Sequence, residues 1–128
     1  MSNFPSDLKY TKDHEWAKKT GATITVGVDH HAQDALGAVV YVELPKVGAA
    51  VKAGENFGVI ESTKAVSELY APVSGKVVKV NDAVTNNPGS VNDDCYAAWL
   101  IEVEPSAPAE WDGLLDQPAY LKLLEGAK

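Results

Sequence analysis

From residue 23 to residue 80 the apolar residues come in short β-branched runs, each cut by glycine or proline before it could complete three helical turns. Such punctuation suits strands and leaves little room for long helices. The runs are Ile24-Thr25-Val26-Gly27-Val28, Val39-Val40-Tyr41-Val42, Phe57-Gly58-Val59-Ile60 and Val77-Val78-Lys79-Val80. Turn signals separate them at Thr20-Gly21, Leu44-Pro45, Val47-Gly48, Ala53-Gly54 and Ser74-Gly75, and Trp99-Leu100-Ile101-Glu102-Val103 predicts a closing strand. The spacing is that of a β-sandwich or barrel. One short helix is expected inside the sheet, from His30 to Leu36, with Gly37 as its C-terminal cap. After Pro105 the pattern turns helical. Ser106 is the expected N-cap of a run with Trp111, Leu114 and Leu115, and Asp116 that of a last helix. In that last helix Tyr120, Leu123 and Leu124 share one face at i, i+3, i+4 spacing, which should lie on the sheet. A faint echo links Val47-Gly48 and Val51-Lys52 with Ser74-Gly75 and Val78-Lys79, too weak to define a repeat.

The charge excludes one large class of partners. All 11 basic residues among the 128 are lysine, against 18 acids, for a net charge of −7. A chain without a guanidinium fork and with excess negative charge is a poor reader of phosphates and base edges, so no nucleic acid is expected. Residues 93–128 hold eight of the acids against Lys122 and Lys128, so the acidity is a C-terminal property that serves either solvation or the steering of basic partners. No apolar stretch reaches membrane-spanning length, and the start of the chain lacks the basic and apolar pattern of an export signal; no membrane association is expected. A single cysteine, Cys95, excludes an intrachain disulfide.

Between two apolar runs, Ser62-Thr63-Lys64-Ala65 reads as the tip of a hairpin. A lysine there projects its four-carbon stem into water, and an acyl group on its amine would make a long arm anchored on a rigid fold. On charge alone Lys64 would be an ordinary solvated lysine. Its neighbours argue otherwise. Glu61-Ser62-Thr63-Lys64-Ala65, Ser67-Glu68 and Tyr70-Ala71-Pro72-Val73-Ser74-Gly75 resemble the lipoyl-lysine segment of the H-protein family of the glycine cleavage system. The resemblance extends in order through Tyr10-Thr11-Lys12-Asp13-His14-Glu15-Trp16, Ala32-Gln33-Asp34-Ala35-Leu36-Gly37, Val40-Tyr41-Val42-Glu43-Leu44-Pro45, Val80-Asn81 and Val91-Asn92, covering about residues 8–103.

The resemblance implies a mainly β fold, a sandwich or flattened barrel of the lipoyl/biotinyl-carrier (barrel-sandwich hybrid) type with a short internal helix and C-terminal helices. It implies one domain over residues 1–128, with a β core at about 8–103 and a helical segment at about 106–126. It implies a carrier, not an enzyme, with lipoate in amide linkage on Lys64. The arm takes up the aminomethyl group of glycine at glycine decarboxylase, delivers it to the aminomethyltransferase and is reoxidised by dihydrolipoyl dehydrogenase, after a lipoate ligase or octanoyltransferase has attached it. A monomer is expected, in the cytoplasm of a bacterium or, in a eukaryote, the mitochondrial matrix. Glu15 is the expected carboxylate facing the cargo's amine, with Ser67 and Glu68 near the arm's base; the competing reading makes Trp16 a core residue and Glu15 a surface charge. Two other functions use the same lysine: a relay of lipoyl or octanoyl groups to other lipoyl domains, and a biotinyl carrier. The biotinyl pattern expects methionines beside the lysine, where Thr63 and Ala65 stand.

Two further groups invite chemistry and do not support it. His30 and His31, beside Asp29, are adjacent and point to different faces, so they are poor co-ligands and no metal is expected. Cys95 lies next to Asp93-Asp94, which would raise its pKa, so an inert thiol is expected. The chain also departs from the family pattern. Thr63 replaces the usual valine, Ala38 an acid, Asp29-His30 a threonine and acid, and Ala35 a histidine found in some relatives. The largest departure is residues 92–99, one residue shorter and without the usual proline and glycines.

Overall fold

The alternation read in the sequence becomes two antiparallel sheets closed over one core. The computed structural model describes residues 4–107 and 109–126. The ends of the expected domain, residues 1–3 and 127–128, and Pro108 in the expected helical segment lie outside the described residues. The first sheet comprises β1 (Lys9–Tyr10), β2 (Glu15–Thr20), β3 (Thr23–Val28), β5 (Ala50–Val51), β8 (Gly75–Val80) and β9 (Ile101–Pro105), in the order β1-β2-β3-β9-β8-β5. The second comprises β4 (Val39–Glu43), β6 (Asn56–Ser62) and β7 (Val66–Tyr70), in the order β4-β6-β7. Alternate residues face inward. Ile24, Val26, Val77, Ile101 and Val103 from the large sheet meet Val42, Ile60 and Leu69 from the small one, all buried. This is the expected mainly β fold, two antiparallel sheets packed face to face.

Helix α1 (His30–Leu36) matches the predicted span, and Gly37 ends it at φ 76° with its N–H donating to the Gln33 carbonyl. Two short helices have no counterpart in the sequence reading: α2 (Asp82–Asn86), capped by the Asn81 side chain, and α3 (Ser90–Asp93). The last helix, α5 (Gln117–Gly126), starts where Asp116 accepts from Ala119 N–H. Its buried Tyr120 stacks on Tyr10 of β1 with centroids 4.7 Å apart and planes 7° apart, and Leu8 and Trp16 complete this second cluster.

Four local expectations are corrected. The closing strand begins at Ile101, two residues late, because Asn81 takes the Trp99 carbonyl with its side-chain amide and the Leu100 carbonyl with its N–H. Gly75 lies inside β8, not in a turn; a Cβ there would collide with the Glu104 carbonyl of β9, so glycine permits close strand approach. Ser106 donates its N–H to the Ser74 carbonyl and lies outside α4 (Ala109–Asp112). Leu114 and Leu115 fall beyond α4, and Leu115 instead exchanges two backbone hydrogen bonds with Tyr10, at 2.7 and 2.9 Å. That bridge, unavailable to a local reading, ends the helix.

Candidate functional site

The tip between β6 and β7 is a tight turn organised by Ser62. Its N–H donates to the Ala65 carbonyl at 2.8 Å, while its hydroxyl oxygen accepts from the N–H groups of Lys64 (3.3 Å) and Ala65 (3.1 Å). Thr63 N–H donates to the Ala38 carbonyl at 3.1 Å, fastening the turn to the segment after α1. The Thr63 hydroxyl plays no part in that backbone bond, so the departure from valine leaves the tip's anchoring intact. Lys64 is exposed, with its stem running back over Gly37, where a built Cβ would stand 3.1 Å from Lys64 Cε. Asn92 braces this platform from below, accepting from Val39 N–H at 2.8 Å and donating to the Gly37 carbonyl at 2.7 Å. The divergent loop therefore reaches the lysine through one asparagine.

Beside the hairpin lies a cleft of about 290 Å³. Val28, Leu36, Ile60 and Leu69 supply apolar walls, Ala32 and Ala35 leave space along α1, and Asp13, His14, Glu15, Ser67 and Glu68 supply polar groups. Ser67 pairs with buried Ile60, whereas Glu68 pairs with Val59 and accepts from the Tyr70 hydroxyl at 3.0 Å. The three carboxyl and hydroxyl groups expected near the arm thus share one cleft. A second cleft, of about 410 Å³, is lined by Pro5, His30, Gln33 and, on the divergent loop, residues 92–96.

Glu15 is 2% exposed, so the surface-charge reading fails; Trp16, also 2% exposed, is a core residue whose indole N–H donates to the Cys95 carbonyl at 3.1 Å. The Glu15 carboxyl accepts from the Thr11 hydroxyl at 3.0 Å and from Tyr70 N–H at 3.2 Å. Burial pushes it up to about 8, against the pull of those two donors. At neutral pH it holds a proton for much of the time, and a cation entering the cleft would draw that proton off.

A second buried acid, Asp29, stands behind the cleft. Asp29, fully buried, caps α1 by accepting from Ala32 N–H at 3.0 Å, and it accepts the Tyr120 hydroxyl proton. Tyr120 Oη in turn lies 2.6 Å from His14 Nδ1. His31 stacks on the His14 ring at a centroid distance of 4.0 Å, so the two histidines weighed as metal ligands part company, and His30 N–H donates to the Tyr96 hydroxyl. An aspartate before a helix was a legible cap; nothing in the spacing joins residues 14, 29 and 120. Cys95 is buried and its thiol is pushed up to about 12 by burial and by nearby Asp29 and Asp94. Among the described residues no three histidine, cysteine or acidic side chains form a cation-sized cluster, and no helix is long and apolar enough to cross a membrane.

Comparison with known proteins gives a consistent result. The family model described as Glycine cleavage H-protein matches residues 8–127. The chain is 60% identical over 126 residues to a protein named Glycine cleavage system H protein from Myxococcus xanthus, covering 98% of each chain. A protein of the same name from Burkholderia cenocepacia is 51% identical over 126 residues, with 98% of this chain and 100% of the relative covered. The crystal structure of a glycine cleavage system H protein from Mycobacterium marinum superposes with a TM-score of 0.85 at 43% identity, over 93% of this chain and 97% of that one.

Proposed function

The chain belongs to the glycine cleavage H-protein family, and on that premise we propose that Lys64 is the residue that bears its lipoyl group. The protein is the lipoyl carrier component of the glycine cleavage system. The observation that supports Lys64 is its station: an exposed lysine on a braced turn, whose stem crosses a glycine and whose hairpin walls a cleft ending in a buried carboxyl. The residues fit such a group. Glycine at position 37 lets the stem lie close against the backbone, and the alanines on α1 keep the adjoining cleft open.

When bound, a lipoyl group supplies the disulfide and dithiol chemistry by which an aminomethyl group is taken up and released. The chain's own residues anchor, shelter and present it. Val28, Leu36, Ile60 and Leu69 exclude water from the cleft, and Glu15, ionising as an alkylammonium enters, balances the cargo's charge where few waters compete. Ser67 and Glu68 hold the entrance beside the arm's base. The partners of this cycle are glycine decarboxylase, the aminomethyltransferase and dihydrolipoyl dehydrogenase, with a lipoate ligase or octanoyltransferase loading Lys64. The protein works as a one-domain monomer that several enzymes reach in turn, in the cytoplasm of a bacterium or, in a eukaryote, the mitochondrial matrix.

Intact mass and peptide mapping after expression in a lipoate-competent host test the assignment. A lipoyl increment on Lys64 that disappears in Lys64→Arg is expected; an unmodified Lys64 in wild type would overturn it. Glycine-dependent carbon dioxide exchange with purified decarboxylase and aminomethyltransferase supports the carrier cycle, whereas acyl transfer alone would assign the relay.

A further inference from the structure

The buried row Asp29, Tyr120, His14 ends in the cleft, and its proton order can be worked out from donor counts. Asp29 accepts at two places, from the backbone N–H of Ala32 and from the Tyr120 hydroxyl, one on each carboxyl oxygen. Burial raises its pKa, but a carboxyl surrounded by donors is a site for the carboxylate. A carboxylate has no proton to give, so the hydroxyl proton of Tyr120 is committed to Asp29. Tyr120 Oη can then only accept from the ring 2.6 Å away, which fixes the proton of neutral His14 on Nδ1. Burial and the stacked His31 both favour the uncharged ring.

The other ring nitrogen, Nε2, must then carry a bare lone pair. Among the described residues the only buried side-chain polar atom without a partner is Ser90 Oγ, and none of them makes a hydrogen bond to Nε2. It is therefore open to solvent at a residue that lines the Glu15 cleft. The main chain fixes the ring's position as well. Among the described residues His14 is the one non-glycine with positive φ, at 69°, and its carbonyl accepts from Asp29 N–H at 3.0 Å. Strain is thus held by the same aspartate that sets the tautomer.

We propose that His14, locked as the Nδ1–H tautomer by Tyr120 and Asp29, presents Nε2 as a neutral hydrogen-bond acceptor for the ammonium of the aminomethyl cargo, beside Glu15. The inference rests on the reading of the cleft as the place that shelters the cargo. An alkylammonium has three N–H donors, and Glu15 already spends acceptor capacity on Thr11 and Tyr70. A lone pair from His14 satisfies a second donor without adding a charge. Tyr120 and Asp29 act as positioning residues that keep that lone pair facing the cleft.

Nitrogen-15 NMR of the full chain without lipoate reads the tautomer directly. Wild-type His14 is expected to show a protonated Nδ1 and an unprotonated Nε2 at neutral pH, and Tyr120→Phe, which removes the acceptor for Nδ1–H, should move the ring toward Nε2–H. A wild-type ring protonated on Nε2 would overturn the proposal, whatever the variants do. With the cargo loaded, His14→Asn keeps an amide for Tyr120 and tolerates positive φ but reaches no lone pair into the cleft; its cargo should be lost about tenfold faster than wild type's. Glu15→Gln is measured beside it. Faster loss in Glu15→Gln but not in His14→Asn overturns the role of His14 alone, no change in either overturns the sheltering cleft with it, and slower loss in His14→Asn would mean that Nε2 activates water against the cargo.

Discussion

Glu15 Oε2 accepts the backbone N–H of Tyr70 at 3.2 Å, so a carboxyl at the start of β2 is tied to the far end of the strand that descends from Lys64. The bond spans the two sheets and fixes the floor of the cleft to the hairpin that walls it. It also sets the terms on which Glu15 ionises. Because Glu15 is almost wholly buried, its proton equilibrium is linked to the stability of the whole fold.

Burial raises Glu15 from 4.5 to about 8, so the folded protein binds a proton that the unfolded chain has released. The stability from this group is fully present below pH 4.5 and is lost as pH rises to about 8. Denaturant midpoints of the wild type should therefore fall relative to those of Glu15→Gln across that range, by an amount on the order of a few kcal/mol. Asp29 contributes in the same direction and His14, lowered by burial, in the opposite one, but both are present in each protein and cancel in the difference. Parallel midpoint curves for the two proteins would contradict the buried acid.

Gly37 stands at φ 76° and ψ −147°, a conformation almost confined to glycine, with Lys64 Cε 3.1 Å from the place of a Cβ. Gly37→Ala should cost about 1–3 kcal/mol in thermal or denaturant unfolding. It should also slow acylation of Lys64, because the stem must leave its path. Normal acylation in a destabilised protein would separate the strain from the lysine's support.

The Glu110 carboxylate accepts from Ser74 N–H at 2.6 Å and from the Ser74 hydroxyl at 3.0 Å, pinning α4 to the turn before β8. Glu110→Ala should destabilise the chain by about 1–3 kcal/mol, since Ser74 N–H loses a charged acceptor. Hydrogen exchange at Ser74 should accelerate, while the tip around Lys64 stays protected.

Cys95 should be inert. Its thiol is buried and raised to about 12, so at pH 8 almost no thiolate is present in the folded chain. A thiol reagent should modify it in denaturant and leave it largely unreacted without. Rapid labelling of the folded protein would show that the loop of residues 92–99 opens.

The sequence by itself determined the strands, α1 and the exposed lysine, because each is written locally. β-Branched alternation makes a strand, a glycine after a helix former ends a helix, and a short polar break between two apolar runs makes a hairpin tip. It also singled out Glu15, Ser67 and Glu68 through resemblance, though not through physics, and the fold brings the three to one cleft. What only the tertiary structure decided is what those groups become. The burial that turns Glu15 from a surface charge into an acid near 8 comes from two sheets closing over it. The end of α4 at Asp112 comes from a bridge between Leu115 and Tyr10, more than a hundred residues apart. The tautomer of His14 comes from a tyrosine 106 positions away and an aspartate held by a helix cap. Hydrogen bonds and desolvation act through space at a few ångströms, and chain spacing carries no trace of them until the fold has closed.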